Sequence, residues 1–420
     1  MEFDNVPEQE VGDRVIAAAE EILTRRYGGT QKLEDATRLP GSGLARVYRA
    51  RVAANPLLQH RSIVVKQSPL TGDVLEDAAF LREVVAYQFT TSLSEDVRPG
   101  PILLGYDTAQ RLIIISDSGD GDTLASLLEV STEDERVQVL RSLGTSLGRM
   151  HAGTAGKEND FNVLFARMLR SRKGQSELQD LRDRLLMHRI RLGATMLQES
   201  HIEIPQVVEE AAERIHNRLL QGGNRAFTPF DLAPDNIIYS DQTHFLDYEW
   251  AGFRDVTFDV GFVVGGFPNY LSARVISDDE AEAFIEAWVR EVESTWPAVQ
   301  HEDTLHSMVT EALLGWALSS VSMLNTVALE DIGVEDAKLT QEFNSAGADL
   351  EAAVAPSATL DITGDVFRTR GSTPFTEDEL LVRRDLFETF DALGRYASYG
   401  RGTDSLVIAD WARSVAHILR

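Results

Sequence analysis

Residues 227–250 read FTPFDLAPDNIIYSDQTHFLDYEW, and this stretch decides the fold. It sets Asp231, Asn236 and Asp247 among apolar residues and prolines. Unpaired polar groups in such surroundings cost free energy, so each should either cap a turn or hold something charged. Taken singly, each has a plain structural reading. Asp231 caps the turn before Pro234, Asn236 is a turn residue, and Asp247 is an acid at a strand end. As an ordered set they suggest more. The apolar run 236–239, the polar turn 240–244 and the run 245–250 predict a hairpin. Asn236 is expected to enter its first strand and Asp247 to sit in its second, so that both face one point near the loop. Phosphoryl transfer uses such a set. One carboxylate, here Asp231, orients and deprotonates the attacking hydroxyl. An amide oxygen and a second carboxylate, Asn236 and Asp247, hold Mg²⁺ on a nucleoside triphosphate.

The other half of that machine is a Lys for the phosphates and a helical Glu to hold it. Lys66 ends the run SIVVK, and Lys is rare here: Lys32, Lys66, Lys157, Lys173 and Lys338 are the only ones. A Lys at the end of an Ile/Val strand is poorly explained by surface solvation alone. Glu83, in FLREVVAYQF, lies in the next helical run, with Glu76 as a rival. The chain therefore orders a glycine turn (Gly41-Ser42-Gly43, weak by itself), Lys66, Glu83, the strand LIIIS and the Asp231–Asn236–Asp247 set.

Working outward, residues 9–27 have helical spacing and end at Gly28-Gly29. Residues 32–52 and 61–69 are β-rich, 76–93 are helical, and 100–119 read as two strands joined by a turn. After Ser118 the chain becomes mainly helical, starting with a capping box of Thr132 and Glu135. These patterns predict an α+β protein in two parts: a small β-rich lobe over 1–118 and a large helical lobe over 119–420.

At 420 residues, two lobes fit the size. The formal charge of −27 disfavours nucleic acid and anionic lipid as partners. No uniformly apolar run of about 18 residues is evident, so no membrane span is expected. The acidic start lacks the pattern of a secretion signal, so a cytoplasmic location is expected. With no Cys, thiolate catalysis and disulfides are excluded.

Two motifs mislead. Gly144-Thr145-Ser146-Leu147-Gly148 matches the nucleophile elbow of serine hydrolases, but it falls within an amphipathic helix and reads as small residues for close packing. DSGDGD (117–122) lacks the spacing of a calcium loop and reads as a polar connector. His151 reads as a residue suited to a helix C-terminus.

The ordered pieces LREVVAYQF, LIIISDSG, LGTSLGRMHA, FDLAPDNIIY, FLDYEWAGFRD and TFDVG resemble the aminoglycoside phosphotransferase and choline kinase family, over roughly residues 35–265. The resemblance implies a protein-kinase-like fold and Mg²⁺-dependent transfer from ATP or GTP to a hydroxyl of a small molecule, with an amino sugar or amino alcohol as the expected acceptor. It implies Asp231 as the base, Asn236 and Asp247 as Mg²⁺ ligands, and Lys66 and Glu83 as the phosphate pair. It also implies that Gly41, Ser42 and Gly43 lie over the nucleotide. The backbone of Ile115, Ser116 and Asp117 would lie against adenine. Asp259 would brace the catalytic loop, and Glu249 would touch a second metal or fix Asp247. There are two departures. Pro229-Phe230 stand where the family has His-Gly, and the glycine turn lacks its third glycine, with Arg46 near that position. A nucleotide-binding pseudokinase is the alternative reading. Acids near the site, among them Asp235, Asp241 and Asp255, are expected to line the cleft and favour a cationic acceptor.

Overall fold

The structure is a computed structural model that describes residues 8–40, 44–240, 242–271, 275–325, 334–355, 360–369, 371 and 373–420. Gly41, Ser42, Gly43 and Asp241 lie outside the described residues. The chain opens with helix α1 (Glu8–Tyr27), stopped by Gly28 and Gly29 at φ +78° and +61°. An antiparallel sheet follows, built from β1 (Leu33–Leu39), β2 (Arg46–Val52), β3 (Ser62–Gln67), β4 (Leu103–Asp107) and β5 (Leu112–Ser116). Its spatial order is β1-β2-β3-β5-β4. Helix α2 (Val74–Thr91) leaves the sheet after β3, its first turn capped by the Asp73 carboxylate.

The two-residue period of the central strands sorts side chains between two helices. Ile63, Val65, Leu112 and Ile114 are fully buried in the core shared with α1. Ile113 and Ile115, with Val64 beside them, join the core that contains α2. Lys66 follows Val65 and stands opposite Val47 on β2 and Ile113 on β5. It therefore belongs to the α2 face.

Residues 117–121 lead to β6 (Asp122–Thr123), which pairs with β8 (Ile237–Tyr239) of the second lobe. Gly121 is required there: a Cβ would come within 2.5 Å of the Tyr239 carbonyl oxygen. The second lobe contains α3 (Leu124–Val130), α4 (Glu133–Thr154), α5 (Glu158–Leu169), α6 (Gln175–Glu199) and α7 (Gln206–Gln221). Next come β7 (Arg225–Thr228), the β8–β9 ribbon (β9, Thr243–Phe245) and β10 (Gly252–Asp255), which pairs with β7. Helices α8 (Thr257–Val264), α9 (Asp278–Val292), α10 (Glu302–Leu324), α11 (Val334–Ser345), α12 (Leu350–Val354), α13 (Glu377–Ser398) and α14 (Thr403–Leu419) complete it.

The glycines of the hydrolase-like motif lie inside α4 and face α9. A Cβ at Gly148 would lie 2.8 Å from Glu291 Cβ and 3.0 Å from the Trp288 carbonyl oxygen. Close packing explains the motif. Helix α10 is long and apolar enough to cross a membrane by length and composition, which the sequence reading did not anticipate. Most of it is buried, and it packs against α6, α7, α8 and α13, so a core position accounts for apolar residues all round.

The hairpin differs from the sequence expectation. Asn236 does not enter a strand; it ends a 3₁₀ turn, Pro234–Asn236, which Pro234 starts. Asp247 does not sit in the second strand, because β9 ends at Phe245. The Leu246 amide donates to the Asn236 carbonyl at 2.8 Å. Asp247 then takes a left-handed backbone at φ +57°. Both side chains thus lie where pairing ends, and the period-two pattern of the apolar runs does not reveal that.

Candidate active site

Lys66 joins the two lobes. Its Nζ lies 2.8 Å from Glu83 Oε1 on α2 and 2.8 Å from Asp247 Oδ1 in the second lobe. Glu76, the rival partner, is exposed on the first turn of α2. Burial opposes the Lys66 charge, but the Glu83 and Asp247 carboxylates outweigh it and hold the ammonium well above the ordinary lysine range. Burial raises Glu83 above its usual value, with the Lys66 ammonium pulling it back. The ammonium is thus shared between two carboxylates, one from each lobe.

Asp231 follows β7 in the loop 229–233. Its Oδ1 accepts from the Ala233 amide at 3.1 Å. Burial pushes its pKa up to about 7, and the nearby charges of Asp247, Glu249 and Asp235 add to the rise. Glu249 is likewise raised, by burial first and by Asp247 next. Asn236 makes no side-chain hydrogen bond to the described residues and is half-buried. Its amide oxygen and the second oxygen of Asp247 are hard donors without partners among the described residues, which suits Mg²⁺, an ion that keeps waters and takes few protein ligands. Among the described residues no cluster of three His, Asp or Glu forms a dedicated metal cage.

Around Ile115–Asp117, the side chains serve the fold. Ser116 Oγ accepts from the Ile102 amide at 2.9 Å. Asp117 accepts from Ser62 Oγ at 2.7 Å and from Arg49 Nη2 at 3.0 Å. Arg49 also grips the Gly119 carbonyl at 2.8 Å, which fixes the connector between the lobes.

Behind the loop, the structure shows a brace that the sequence reading assigned only in part. His151 lies in the last turn of α4, as the sequence reading expected, and is fully buried there. Trp288 Nε1 donates to its Nδ1 at 3.0 Å, so the ring proton sits on Nε2 and points to Asp259 Oδ2 at 3.2 Å. Burial raises Asp259, and His151 pulls it back. The Phe230 backbone faces the same carboxylate and lowers its pKa, although Asp259 Oδ1 has no full hydrogen bond. Phe230 itself has φ +67°, an outlier for a bulky residue. Its ring holds it there, 5.0 Å from Trp316 and under the Arg254 guanidinium at 4.7 Å. Glycine costs nothing in that conformation, which is a physical reason for the Gly of the family pattern at this position.

Asp231 opens onto a cavity of about 300 Å³. Phe230, Trp250, Phe258, Phe262, Trp316 and Met323 form its apolar wall, and Arg189, Asn269 and Ser319 are among its polar groups. The sequence signalled none of these as site residues. They come from α6, α8, α10 and the loop after α8, where aromatic residues look like ordinary core. The expected acidic lining is absent: Asp231 is the only acid on the wall among the described residues. Asp255 is instead buried, with Thr257 donating to it and Arg218 at 3.5 Å. Asp278 pairs with Arg395, and Glu280 pairs with Arg136 at 2.5 Å.

The described fold has a small antiparallel β lobe and a mainly helical second lobe. Among solved structures, the ADP-bound aminoglycoside phosphotransferase APH(2'')-Ib is 13% identical, with a TM-score of 0.40, covering 75% of this chain and 92% of that one. The choline kinase LicA from Streptococcus pneumoniae is 14% identical, with a TM-score of 0.40, covering 82% and 99%. The ternary complex of APH(2")-IIa with streptomycin and ATP is 13% identical, with a TM-score of 0.41, covering 82% and 98%. No curated protein sequence matches. The model of the phosphotransferase enzyme family (APH) matches residues 37–301, more than half of the chain, and the chain belongs to that family.

Proposed function

We propose that the protein is a kinase that moves the γ-phosphoryl group of ATP or GTP to a hydroxyl of a small molecule. The observation that carries this reading is the Asp231 carboxylate at the wall of an apolar cavity, beside the Lys66–Glu83–Asp247 array. A pKa near 7 suits a general base at neutral pH. The acceptor oxygen attacks the γ-phosphorus while the bond from that phosphorus to the β–γ bridging oxygen breaks. The hydroxyl proton passes to Asp231, and the nucleoside diphosphate leaves with the bridging oxygen. Lys66 holds the nucleotide phosphates, and Glu83 positions Lys66. Asp247 and the Asn236 oxygen would hold Mg²⁺, which supplies charge neutralisation on the phosphates. The backbone of 115–117 is the proposed adenine contact, and Gly41-Ser42-Gly43 the proposed cover. Asp259, held by His151, positions the loop that carries Asp231.

The test couples ADP or GDP release to an acceptor screen. Nucleotide with Mg²⁺ should raise the melting temperature, since a ligand that binds only the folded state stabilises it. Absence of any shift at millimolar nucleotide refutes the reading. One observation favours a second reading, a nucleotide-binding pseudokinase: Phe230 and Pro229 replace His-Gly, and Phe230 is strained. A melting shift without turnover in wild type, restored by Pro229→His with Phe230→Gly, would establish that reading.

A further inference from the structure

The cavity beside Asp231 contains two polar groups that the fold leaves incompletely matched. The first is Arg189 on α6. Its Nη1 donates to the Ser322 carbonyl at 3.2 Å and its Nη2 to the Ala353 carbonyl at 2.7 Å. Among the described residues no carboxylate pairs with it. Other enclosed guanidiniums of the second lobe differ: Arg254 meets Asp183 at 2.8 Å and Arg136 meets Glu280 at 2.5 Å. Burial lowers the Arg189 pKa to about 10, with no acid among the described residues acting to restore it. Two carbonyls orient the group but do not balance its charge. The second is Asn269, held at φ +71° in the loop after α8, whose buried Oδ1 has no hydrogen-bond partner. Its Nδ2 faces only the Met323 sulfur, at 3.5 Å.

A site that sets one half-buried guanidinium with no carboxylate partner among the described residues, and one buried amide oxygen with no partner among them, against aromatic rings is matched to a specific ligand. The ligand must bring a negative group to Arg189, a donor to Asn269 and an apolar body to Phe230, Trp250 and Trp316. Aromatic rings also suit an ammonium group, but Arg189 would repel one within the same enclosed space. A phosphate dianion is a poorer match than a carboxylate, because the wall offers one guanidinium and otherwise mainly apolar surface with which to desolvate it.

We infer that the acceptor is a hydroxylated carboxylic acid with an apolar or aromatic body, its carboxylate held by Arg189 and its hydroxyl turned to Asp231. This rests on the assignment of Asp231 as the base. It replaces the amino sugar or amino alcohol that the sequence resemblance implies. The transfer chemistry is unchanged, and only the acceptor class is new.

The test uses three probes that share one ring and one hydroxyl: 3-phenyllactate, its methyl ester and phenylalaninol. Binding to the full chain is followed by tryptophan fluorescence, since Trp250 and Trp316 line the cavity. No nucleotide is needed, so the acceptor claim can fail while nucleotide binding and kinase activity stand, and the reverse. The acid should bind at least about tenfold more tightly than the ester or the amine, as a charge-assisted contact requires. Arg189→Gln should remove that preference and leave ester binding within about twofold. The wild-type comparison stands even if Arg189→Gln fails to fold. Equal binding of acid and ester, a preference for phenylalaninol, an acid preference that persists in Arg189→Gln, or no binding at millimolar concentration would each overturn the inference.

Discussion

Asp231→Asn should make the free protein more stable at alkaline pH while abolishing turnover. An Asp carboxyl ordinarily titrates at 3.8, and burial with neighbouring acids moves Asp231 to about 7. That gap corresponds to ~4 kcal/mol of cost for the charged form in the folded protein. Part of the carboxylate faces the cavity, whose water screens it, so roughly half, ~2 kcal/mol, should be measurable. The sign follows from proton linkage. The folded state binds this proton more tightly than the unfolded state. Wild type therefore loses stability from this group as pH rises from 3.8 to about 7, and the loss is constant above that. Asparagine cannot ionise, and its Oδ1 can still accept the Ala233 amide.

Urea unfolding of both proteins without nucleotide, at about pH 4 and about pH 8.5, measures the difference. The variant should gain ~2 kcal/mol at the higher pH and nearly nothing at the lower. Groups that titrate alike in both proteins cancel from the comparison. A variant no more stable than wild type at alkaline pH would show that the Asp231 site does not store electrostatic strain. Its role as a base with a raised pKa would then lose its physical basis.

The other expectations concern the same network. Turnover should fall about tenfold per pH below about 7, because only ionised Asp231 accepts the proton, and a profile flat from acid to neutral pH would contradict this. Lys66→Met leaves Glu83 buried without its partner, so thermal melts should show ~3 kcal/mol of lost stability and no nucleotide-induced rise. Asp183→Asn removes the carboxylate shared by Arg82 and Arg254, and neutral-pH urea unfolding should show a loss of ~3 kcal/mol. Arg82 and Arg254 hold Asp183 down at about 2 against its burial, so its contribution is present above 3.8 and fades as pH falls toward 2.

The meeting of Lys66, Glu83 and Asp247 was legible in sequence because phosphoryl-transfer chemistry, the reading proposed above, demands residue types in a fixed order. A Lys at the end of an apolar strand, a Glu in the next helix and an Asp–Asn–Asp set can be read without contacts. The lobes were legible from the change of period after Ser118. Conformation at the site was not. Pro234 converts the expected strand entry of Asn236 into a 3₁₀ turn, and Asp247 takes positive φ, neither of which alternation reveals. The cavity beside Asp231 was illegible for a different reason. Arg189, Asn269 and Trp316 come from separate elements, and an aromatic on a core helix looks the same whether it meets another side chain or a ligand. Asp255, one of the acids that seemed to imply a cationic acceptor, is paired with Arg218. Net charge is a property of the surface, while the cavity is set by the few groups that face it.

Helix α6 connects these two halves physically. Near its start, Gln179 accepts from Arg82 Nε at 3.0 Å and Asp183 meets Arg82 Nη2 at 2.9 Å, and Arg82 sits on α2 one residue before Glu83. Arg182 donates to the Leu75 carbonyl at 2.7 Å and the Glu249 carbonyl at 3.0 Å, with its guanidinium 3.9 Å from the Trp250 ring. One to two turns later the same helix gives Leu186, Arg189 and Ile190 to the cavity. A residue at 3.6 per turn cannot shift without its neighbours, so the spacing 182, 186, 189 and 190 places the anchor and the cavity wall on one rigid rod. The helix that holds Arg82, the neighbour of Glu83, is therefore also the helix that places Arg189 on the cavity wall. On the proposed function, a displacement of α6 by a misfitting acceptor would be felt through Arg82 beside the Lys66–Glu83 pair.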